Sequence, residues 1–515
     1  MVRRALAVLV FLPTLSFAQQ PCENLAKLAL PNTTITLTAS VPAGSFQVPG
    51  GRGGAATANV AAFCRVAATI SPDIRFELWM PTNWNRKFLA VGNGGLAGTI
   101  RYDAMLDPLR RGYATSNTDT GHTADSDGHW AQGHMQRVFD YAFRAVHEMT
   151  QADKAIIKAF YGASPERSYF SGCSRGGQEA LTEAQRFPDD FDGIIAGDPA
   201  NNLTGLFIGG HLWITQLMQG DGYIPAAKTQ IVGDAVYNAC DALDGIKDGV
   251  INDPRRCHFD PSVLLCKAGD ASDCLTAAQV DSVRKIYEGA RTADGGQIFP
   301  GILPGGEAGP GGWQTWITGT DRGRGSHTTL GMPFLRYIAF EDPNWDTRSF
   351  RWERKDGFDS DVDFIEKKLG PIFDNMSPDL TAFRAHGGKL IQYHGWADPD
   401  ISPLNSVNYY ESVIHFDGRG ARRGLADTQS FFRLFMVPGM YHCNGGPGPN
   451  TFDAVRALED WVERGAPPDR IVASHSTNGT VDRTRPLCPY PQEAQWKGSG
   501  SMDQAENFVC GLGKQ

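Results

Sequence analysis

The stretch RSYFSGCSRGGQEALTEAQRFP, residues 167–188, decides how this chain folds. In it Ser174 has a glycine two positions away on either side, which gives the pattern G-x-S-x-G. Residues 168–171 predict a strand, and residues 178–186 predict a helix. A sharp turn between them lifts a serine hydroxyl above a sheet, close to a helix N-terminus that favours negative charge. Glycine-rich turns also occur without a reactive serine, so this pattern needs partners elsewhere in the chain.

A serine hydroxyl becomes a nucleophile when a base removes its proton and an acid orients that base. In the α/β-hydrolase order, the acid and then the base follow the serine along the chain. Asp398 follows the strand-like segment KLIQYHG, and His442 follows the strand-like segment RLFMVPG. We therefore predict Ser174, Asp398 and His442 as nucleophile, acid and base. His394 is an alternative base and Asp400 an alternative acid, because both lie close to Asp398 in the sequence.

A cysteine accompanies each end of this predicted arrangement. Cys173 directly precedes the nucleophile, and Cys443 directly follows the base. If Ser174 and His442 lie within hydrogen-bond reach, the neighbouring Cα atoms can approach the roughly 5.5 Å that a disulfide requires. We therefore predict a Cys173–Cys443 disulfide that fixes the serine relative to the histidine. The alternatives are two buried free thiols and a nucleophilic Cys173.

Attack of a serine on a carbonyl carbon forms an oxyanion, which backbone N–H groups can stabilise. Arg175, the residue after the nucleophile, is expected to supply one N–H. The glycine-rich loop GNGG, residues 92–95, follows the strand-like segment FLAV and is expected to supply a second. We assign that donor to Gly95, with Gly94 as the alternative.

The periodicity of the whole chain agrees with this site. Strand-like and helix-like segments alternate between about residues 76 and 198, which predicts a mainly parallel sheet covered by helices. The alternation stops after residue 200, in a region with four closely spaced cysteines, and resumes at Lys389. We expect the α/β class, as an α/β-hydrolase fold with a large inserted lid domain. The catalytic domain is assigned to residues 19–200 and 381–515, and the lid domain to residues 201–380.

Residues 1–18 have the pattern of a secretory signal peptide. Arg3 and Arg4 precede an apolar run that ends at the small residues Ser16 and Ala18. A membrane anchor is the alternative, but the run is short for a bilayer span. Cleavage takes the formal charge from −9 to −11, because two arginines leave, and this argues against nucleic acid or a membrane surface as partner. We expect a secreted or periplasmic protein.

An exported chain with ten cysteines can form up to five disulfides. Zinc binding is the competing interpretation, but the sequence contains no pair of C-x-x-C or H-x-x-x-H motifs at ligand spacing. Disulfides are therefore the prediction that we retain for these cysteines.

The segment CDALDGIKDGVINDPRRC, residues 240–257, has the composition of a calcium loop. Asp241, Asp244 and Asp248 alternate with glycines between two cysteines, and the carbonyls of Ile246 and Val250 could complete a shell of oxygen ligands. An acidic surface turn is the alternative. We predict a structural Ca²⁺ here, away from the chemistry.

Together these residues resemble the tannase and feruloyl esterase family, over nearly the whole mature chain. The motifs that carry the resemblance are GCSRGG, CDALDGIKDG, YHGWAD, VPGMYHCNGGPG and the tail RPLCPYPQEAQWKGSGSMDQAENFVC. The Cys-Ser, Asp and His-Cys arrangement of the family falls on the residues predicted above, and so do its calcium ligands. The resemblance also implies the disulfides Cys22–Cys64, Cys240–Cys257, Cys266–Cys274 and Cys488–Cys510.

The resemblance implies a serine esterase that hydrolyses esters of aromatic acids of the feruloyl or galloyl type through an acyl-enzyme, with hydrolysis of terephthalate monoesters as the alternative. A small aromatic ester would be its substrate. The alternative from another class is a catalytically silent binding module on a hydrolase scaffold. The lid region holds Arg322 and Arg324 where the terephthalate-monoester enzymes use an arginine, without an unambiguous match. Candidate substrate contacts are Trp313, Trp316, Phe334, His394 and Ile401.

Overall fold

The computed structural model describes residues 19–51, 54–123, 127–292, 295–353, 360–416 and 421–513. The predicted signal peptide, residues 1–18, lies outside these ranges. Within them, no helix has both the length and the apolar sequence that crossing a membrane requires.

The strands of the described chain are β1 Thr33–Val41, β2 Gly44–Gly51, β3 Gly54–Val60, β4 Phe63–Ile70, β5 Ile74–Pro81, β6 Lys87–Val91, β7 Ala114–Thr118, β8 Arg167–Cys173, β9 Gly193–Gly197, β10 Ala290–Arg291, β11 Gln297–Phe299, β12 Lys389–Gly395, β13 Phe432–Val437, β14 Ile471–Thr477, β15 Thr480–Leu487, β16 Gln492–Trp496 and β17 Phe508–Leu512.

The α-helices are α1 Tyr102–Arg110, α2 Met135–Phe139, α3 Ala145–Tyr161, α4 Arg175–Arg186, α5 Leu203–Gly205, α6 Trp213–Gln219, α7 Ala226–Cys240, α8 Ala277–Glu288, α9 Ser326–Pro333, α10 Asp361–Phe373, α11 Thr381–His386, α12 Pro403–Phe416, α13 Ala421–Gln429 and α14 Ala454–Arg464. Segments of π-helix are Asp140–Arg144, Leu206–Leu212, Gln314–Thr318 and Phe334–Ala339.

A nine-stranded sheet in the order β1-β4-β5-β7-β6-β8-β9-β12-β13 forms the centre of the molecule. In this order the neighbours β7, β6, β8, β9, β12 and β13 pair in parallel. The neighbours β1, β4, β5 and β7 pair antiparallel. The parallel strands β9 and β13 are buried at every position, because helices cover both faces of a parallel sheet. In β4 buried and partly exposed residues alternate, as expected where one face is less covered.

The core lies on both faces of this sheet. Along β6, Phe88 and Ala90 pack into one apolar cluster, and Leu89 and Val91 pack into another on the opposite face. Residues 201–380, which we call the insert, contribute no strand to the nine-stranded sheet among the residues that the structure describes. Helices of the insert form one apolar cluster of their own, and they share a second cluster with residues outside the insert such as Trp130, Tyr141 and Ile401.

The register of the parallel strands brings the parts of the site together. Cys173 at the end of β8 pairs with Gly197 at the end of β9, and Gly395 at the end of β12 pairs with Val437 at the end of β13. Because carboxyl ends of parallel strands share one edge, the residues that follow them form a single region above the sheet.

Ten cysteines form five disulfides, and the described residues contain no free thiol. The pairs are Cys22–Cys64, Cys173–Cys443, Cys240–Cys257, Cys266–Cys274 and Cys488–Cys510. The predicted pairing is confirmed at every position.

Candidate active site

Ser174 lies on a tight turn between a strand and a helix. Strand β8 ends at Cys173 and helix α4 begins at Arg175, so Ser174 alone makes the reversal, with φ 64° and ψ −120°. This backbone conformation is rare for a residue with a side chain, and it marks strain stored at a functional position. A Cβ on Gly172 would lie 2.4 Å from the carbonyl oxygen of Gly176, so the turn needs glycine there.

His442 and Asp398 form a buried pair. His442 Nδ1 lies 2.8 Å from Asp398 Oδ2, and Asp398 Oδ1 accepts the backbone N–H groups of Asp400 and Ile401 over 2.8 and 3.0 Å. Burial by itself would raise the pKa of Asp398, but His442 and His394 outweigh it and hold the pKa below its ordinary value. The carboxylate is therefore ionised and fixes the orientation of the imidazole.

Ser174 and His442 line the same cavity, of about 490 Å³. His442 Nε2 has no hydrogen-bond partner within the described parts of the chain, so this nitrogen is not committed to another group. Trp316 of the insert also lines the cavity, and its ring centroid lies 4.8 Å from that of His442. The insert thus contributes an aromatic side chain next to the histidine.

The disulfide between Cys173 and Cys443 joins the serine turn to the loop that carries the histidine. Its Cα atoms are 5.9 Å apart, and it closes a sequence separation of 270 residues. Asp198, which follows β9, lies beneath it: Oδ2 accepts the Cys443 N–H and Oδ1 accepts the Gly395 N–H, both over 2.7 Å. Burial raises the pKa of Asp198 above its ordinary value.

Sequence reasoning missed Asp198, although one signal could have found it. Asp198 follows a fully buried strand at the same sheet edge as Ser174 and Asp398. Its partners lie 197 and 245 residues further along the chain, and only the folded structure shows these contacts.

The two residues predicted to bind the oxyanion are linked through Tyr141, which the sequence did not single out. The Arg175 side chain is buried, and its guanidinium lies over the Tyr141 ring with Cζ 4.1 Å from the centroid. The Tyr141 hydroxyl donates to the carbonyl oxygen of Gly95 over 3.0 Å. Gly95 has φ 59°, a left-handed conformation that glycine adopts without strain, and it lines the cavity.

Four of the predicted substrate contacts are corrected by the structure. Trp313 and Phe334 are fully buried, and Phe334 stacks on Phe207 with ring centroids 3.9 Å apart. They are therefore core residues of the insert, because packing against neighbouring side chains leaves no surface for a substrate. Of the three aromatic residues proposed in the insert, Trp316 alone lines the cavity within the described chain.

His394 and Ile401 are also buried, with no surface to offer a substrate. His394 Nε2 lies 3.2 Å from Asp398 Oδ2, and Nδ1 lies 2.7 Å from the Ser406 hydroxyl. His394 is a neighbour of the acid and not the base, which agrees with the choice of His442. Ile401 contributes its backbone N–H to Asp398 and packs its side chain in the insert-facing core.

The arginines at the cavity are Arg101 and Arg111, which flank helix α1 and lie outside the insert. Arg322 lies elsewhere: its guanidinium donates to the carbonyl oxygen of Gln219 over 2.8 Å and covers the Tyr223 ring. The site therefore lacks an Arg322 contact of the kind that would hold a substrate carboxylate.

The predicted calcium loop places acidic groups near one another. Asp241 Oδ1 accepts the Gly249 N–H over 3.0 Å, and Asp248 Oδ2 binds Arg485 Nη2 over 2.6 Å. Burial and the charges of Asp248 and Asp241 raise the pKa of Asp244 to about 6. Carboxylates together with backbone carbonyls are the oxygen donors that a hard divalent ion takes, and the pairing of Asp248 with Arg485 already offsets part of the negative charge of the loop.

The fold and the serine turn are those of the α/β-hydrolase class, and comparisons with known proteins define the class further. The model of the family described as tannase and feruloyl esterase matches residues 58–511. The chain belongs to the tannase and feruloyl esterase family and is a carboxylic-ester hydrolase.

Relatives cover almost the whole chain. An esterase of Xanthomonas campestris pv. campestris is 40% identical over 98% of this chain and 94% of its own length. The mono(2-hydroxyethyl) terephthalate hydrolase of Piscinibacter sakaiensis is 34% identical over 88% of this chain and 86% of its own. The crystal structure of feruloyl esterase B from Aspergillus oryzae superposes with a TM-score of 0.85, at 30% identity, and covers 95% of this chain and 99% of that one.

Proposed function

We propose that the chain hydrolyses carboxylic esters of aromatic acids of the feruloyl or galloyl type, through an acyl-enzyme on Ser174. The observation that carries this proposal is the geometry of His442. Its Nδ1 lies 2.8 Å from Asp398, and its Nε2 has no hydrogen-bond partner in the described chain. His442 also lines the same cavity as Ser174. The family and the similarity to feruloyl esterase B support the substrate class.

In the proposed reaction the Ser174 hydroxyl proton moves to His442 Nε2 as Oγ forms a bond with the ester carbonyl carbon. Backbone N–H groups of Arg175 and Gly95 bind the oxyanion. The alcohol leaves with the proton from His442, which completes an acyl-enzyme. Water, deprotonated by His442, then attacks the acyl carbon and releases the aromatic acid while the proton returns to Ser174.

The insert is proposed to act as the lid that shapes the acyl pocket, because it places Trp316 against His442. A flat aromatic acid can pack on an indole ring, which favours an aromatic acyl group over an aliphatic one. A terephthalate monoester is less favoured, since the guanidinium of Arg322 donates to backbone carbonyls of the insert and does not line the cavity.

We further propose that the loop at residues 241–250 binds Ca²⁺ through Asp241, Asp244 and Asp248 and the carbonyls of Ile246 and Val250. The ion would neutralise the charge that raises the pKa of Asp244 and would hold the loop closed. No step of ester hydrolysis passes through it.

Export is part of the same proposal. Five disulfides form in oxidising compartments, and residues 1–18 have the pattern of a signal peptide. We infer a secreted or periplasmic enzyme whose mature chain starts near residue 19.

The experiment is a comparison of the wild-type chain with Ser174→Ala on methyl ferulate, methyl gallate and a terephthalate monoester. Wild type is expected to hydrolyse the first or second ester fastest, and Ser174→Ala to lose at least about a thousandfold in kcat. Ser430→Ala, an exposed serine before β13, is the matched control. Undiminished turnover by Ser174→Ala would remove the mechanism, and a wild type inactive on all three esters would favour a silent binding module.

A further inference from the structure

Asp400 carries a buried carboxylate that the proposed reaction does not use. It follows Asp398 by two residues, and its side chain is 5% exposed. Its Oδ2 atom lies 3.5 Å from His442 Nε2, the imidazole nitrogen that Asp398 does not contact. This distance is long for a hydrogen bond but short for a charge interaction in a buried site. Asp400 therefore acts on the histidine through its charge.

Two histidines of the insert face the other oxygen of Asp400. His211 Nε2 lies 3.1 Å from Asp400 Oδ1, and His327 Nε2 lies 3.5 Å from the same atom. His327 Nε2 also lies 3.0 Å from the carbonyl oxygen of Pro399. The two imidazole rings have centroids 4.6 Å apart, and both side chains are buried. The insert thus fixes the position of this carboxylate.

Close packing keeps the two histidines in place. His211 lies in the π-helix Leu206–Leu212, and His327 lies in α9. A Cβ on Gly331 of α9 would lie 2.8 Å from the His211 Cβ, so the helix can approach this closely only with glycine at that position. The contact between insert and carboxylate is therefore built into the packing of the insert.

A negative charge beside Nε2 has opposite effects at two stages of the reaction. Before the reaction it favours the protonated imidazole, which cannot accept the Ser174 proton. After proton transfer it stabilises the imidazolium that has formed. Burial alone would lower the pKa of His442, but Asp398, Asp400 and Asp198 outweigh burial and raise it above its ordinary value.

We propose that Asp400 is a positioning residue whose charge sets the pH at which His442 becomes a base, and that His211 and His327 hold Asp400 for this task. The inference rests on the proposed roles of Ser174 and His442. It adds to the Ser, His and Asp arrangement a second carboxylate that the insert holds in place.

Other charged groups face His442 and remain when Asp400 is changed. Asp398 contacts Nδ1, Asp198 acts from the end of β9, and His394 of β12 contacts both of these carboxylates. Arg101 and Arg111 line the same cavity. A change confined to Asp400→Asn therefore measures the contribution of one carboxylate against a constant background.

The test is the pH profile of kcat/KM for wild type and Asp400→Asn, on the ester that wild type hydrolyses fastest. Activity requires neutral His442, so it falls as the pH falls through the pKa of this histidine. Removing the Asp400 charge lowers that pKa, and the acidic limb is expected to move to lower pH by about one unit. On that limb, activity relative to the plateau rises about tenfold.

Asp400→Glu is the matched control, because it keeps the charge and is expected to return the acidic limb towards the wild-type position. If Asp400→Asn does not fold, Asp400→Ser provides the same test with a smaller polar side chain. A folded neutral variant whose acidic limb coincides with that of wild type overturns the inference. Ser174→Ala is assayed beside it: if that variant stays active, the proposed function fails, and if it is inactive, only the role of Asp400 is at issue.

The role of the insert is tested by a double-mutant cycle with His211→Asn. Because His211 acts on His442 through Asp400, its effect on kcat/KM is expected to shrink at least threefold in the Asp400→Asn background. Equal effects in the two backgrounds would show that His211 does not act through Asp400 and would contradict that part of the inference.

Discussion

Asp398 differs from Asp400 in the imidazole nitrogen that it faces. Asp398 contacts His442 Nδ1 over 2.8 Å and accepts two backbone N–H groups, whereas Asp400 lies 3.5 Å from Nε2. An acid that orients a base must bind the nitrogen remote from the nucleophile. The geometry therefore favours Asp398 over Asp400 for the proposed orienting role.

Asp398→Asn is expected to reduce kcat by about three to four orders of magnitude with little change in KM, because an amide fixes the wrong imidazole tautomer. Steady-state kinetics on a methyl ester at the plateau pH measure this loss. Asp400→Asn is the matched substitution, and it is expected to lose no more than about tenfold in plateau kcat, because it weakens the stabilisation of the imidazolium but leaves the tautomer correct. The reverse ranking of the two variants would make Asp400 the orienting acid.

The turn between β8 and α4 and the loop after β13 belong to separate elements, and one disulfide joins them. Cys173 directly precedes Ser174, and Cys443 directly follows His442. The two cysteines are 270 residues apart in the sequence. Asp198 from β9 binds the Cys443 N–H, so three strand ends contribute to the same junction. A displacement of about 1 Å between serine and histidine can cost a hundredfold in rate, which gives this junction a catalytic value.

Replacing both cysteines by serine in Cys173→Ser/Cys443→Ser is expected to lower the free energy of unfolding by about 5.6 kcal/mol on the chain-entropy model. It is also expected to lower kcat by about ten- to a hundredfold, because the two halves of the site lose their tether. Denaturant unfolding and steady-state kinetics measure the two effects.

The matched control for that change is Cys266→Ser/Cys274→Ser, which opens a loop with a separation of only 8 residues. The same model gives it a smaller loss, about 2.5 kcal/mol, and it is expected to leave kcat unchanged. If both double variants lost activity equally, the loss of kcat could not be attributed to the disulfide that joins the serine turn to the histidine loop.

Residues of the insert and residues outside it line the cavity together. The predicted calcium loop lies in the insert, against the C-terminal strands. Arg485 of β15 binds Asp248 over 2.6 Å, and both side chains are 2% exposed. An ion bound to this loop would therefore stabilise the contact between the insert and the C-terminal region as well as the loop itself.

Chelation of calcium is expected to lower the unfolding temperature by several degrees, since saturating ligand contributes about 3 kcal/mol at a hundred times its Kd. The calcium effect should weaken as the pH falls below about 6, because a proton on Asp244, whose pKa is raised to about 6, then competes with the ion. Thermal unfolding with and without EGTA at pH 5 and pH 8 measures both. Asp244→Asn should abolish the dependence of the unfolding temperature on calcium, and the control Asp281→Asn in α8 should retain it. If EGTA left the unfolding temperature of wild type unchanged at pH 8, this would contradict the calcium proposal.

Much of the fold was predictable because its signals are local. The glycine-flanked Ser174, the strand ends before Asp398 and His442, and the paired cysteines are each readable over a few residues. The register of parallel strands then brings these distant pieces to one edge of the sheet.

The rest of the site depends on contacts that no local pattern encodes. Trp313 and Phe334 have the same aromatic character as Trp316, and only packing decides which of the three lines the cavity. Tyr141 and Asp198 act through partners far away in the sequence. Their roles follow from tertiary packing, which the sequence does not display.

We propose Ser174 as the nucleophile of this ester hydrolase. The most direct measurement is labelling of the folded wild-type chain with a fluorophosphonate, followed by peptide mass mapping. We expect one phosphonyl group per chain on Ser174, with loss of esterase activity in proportion to labelling, and much slower labelling of His442→Ala. Modification of a different residue with the same loss of activity, or full activity in a chain fully labelled at Ser174, would contradict it.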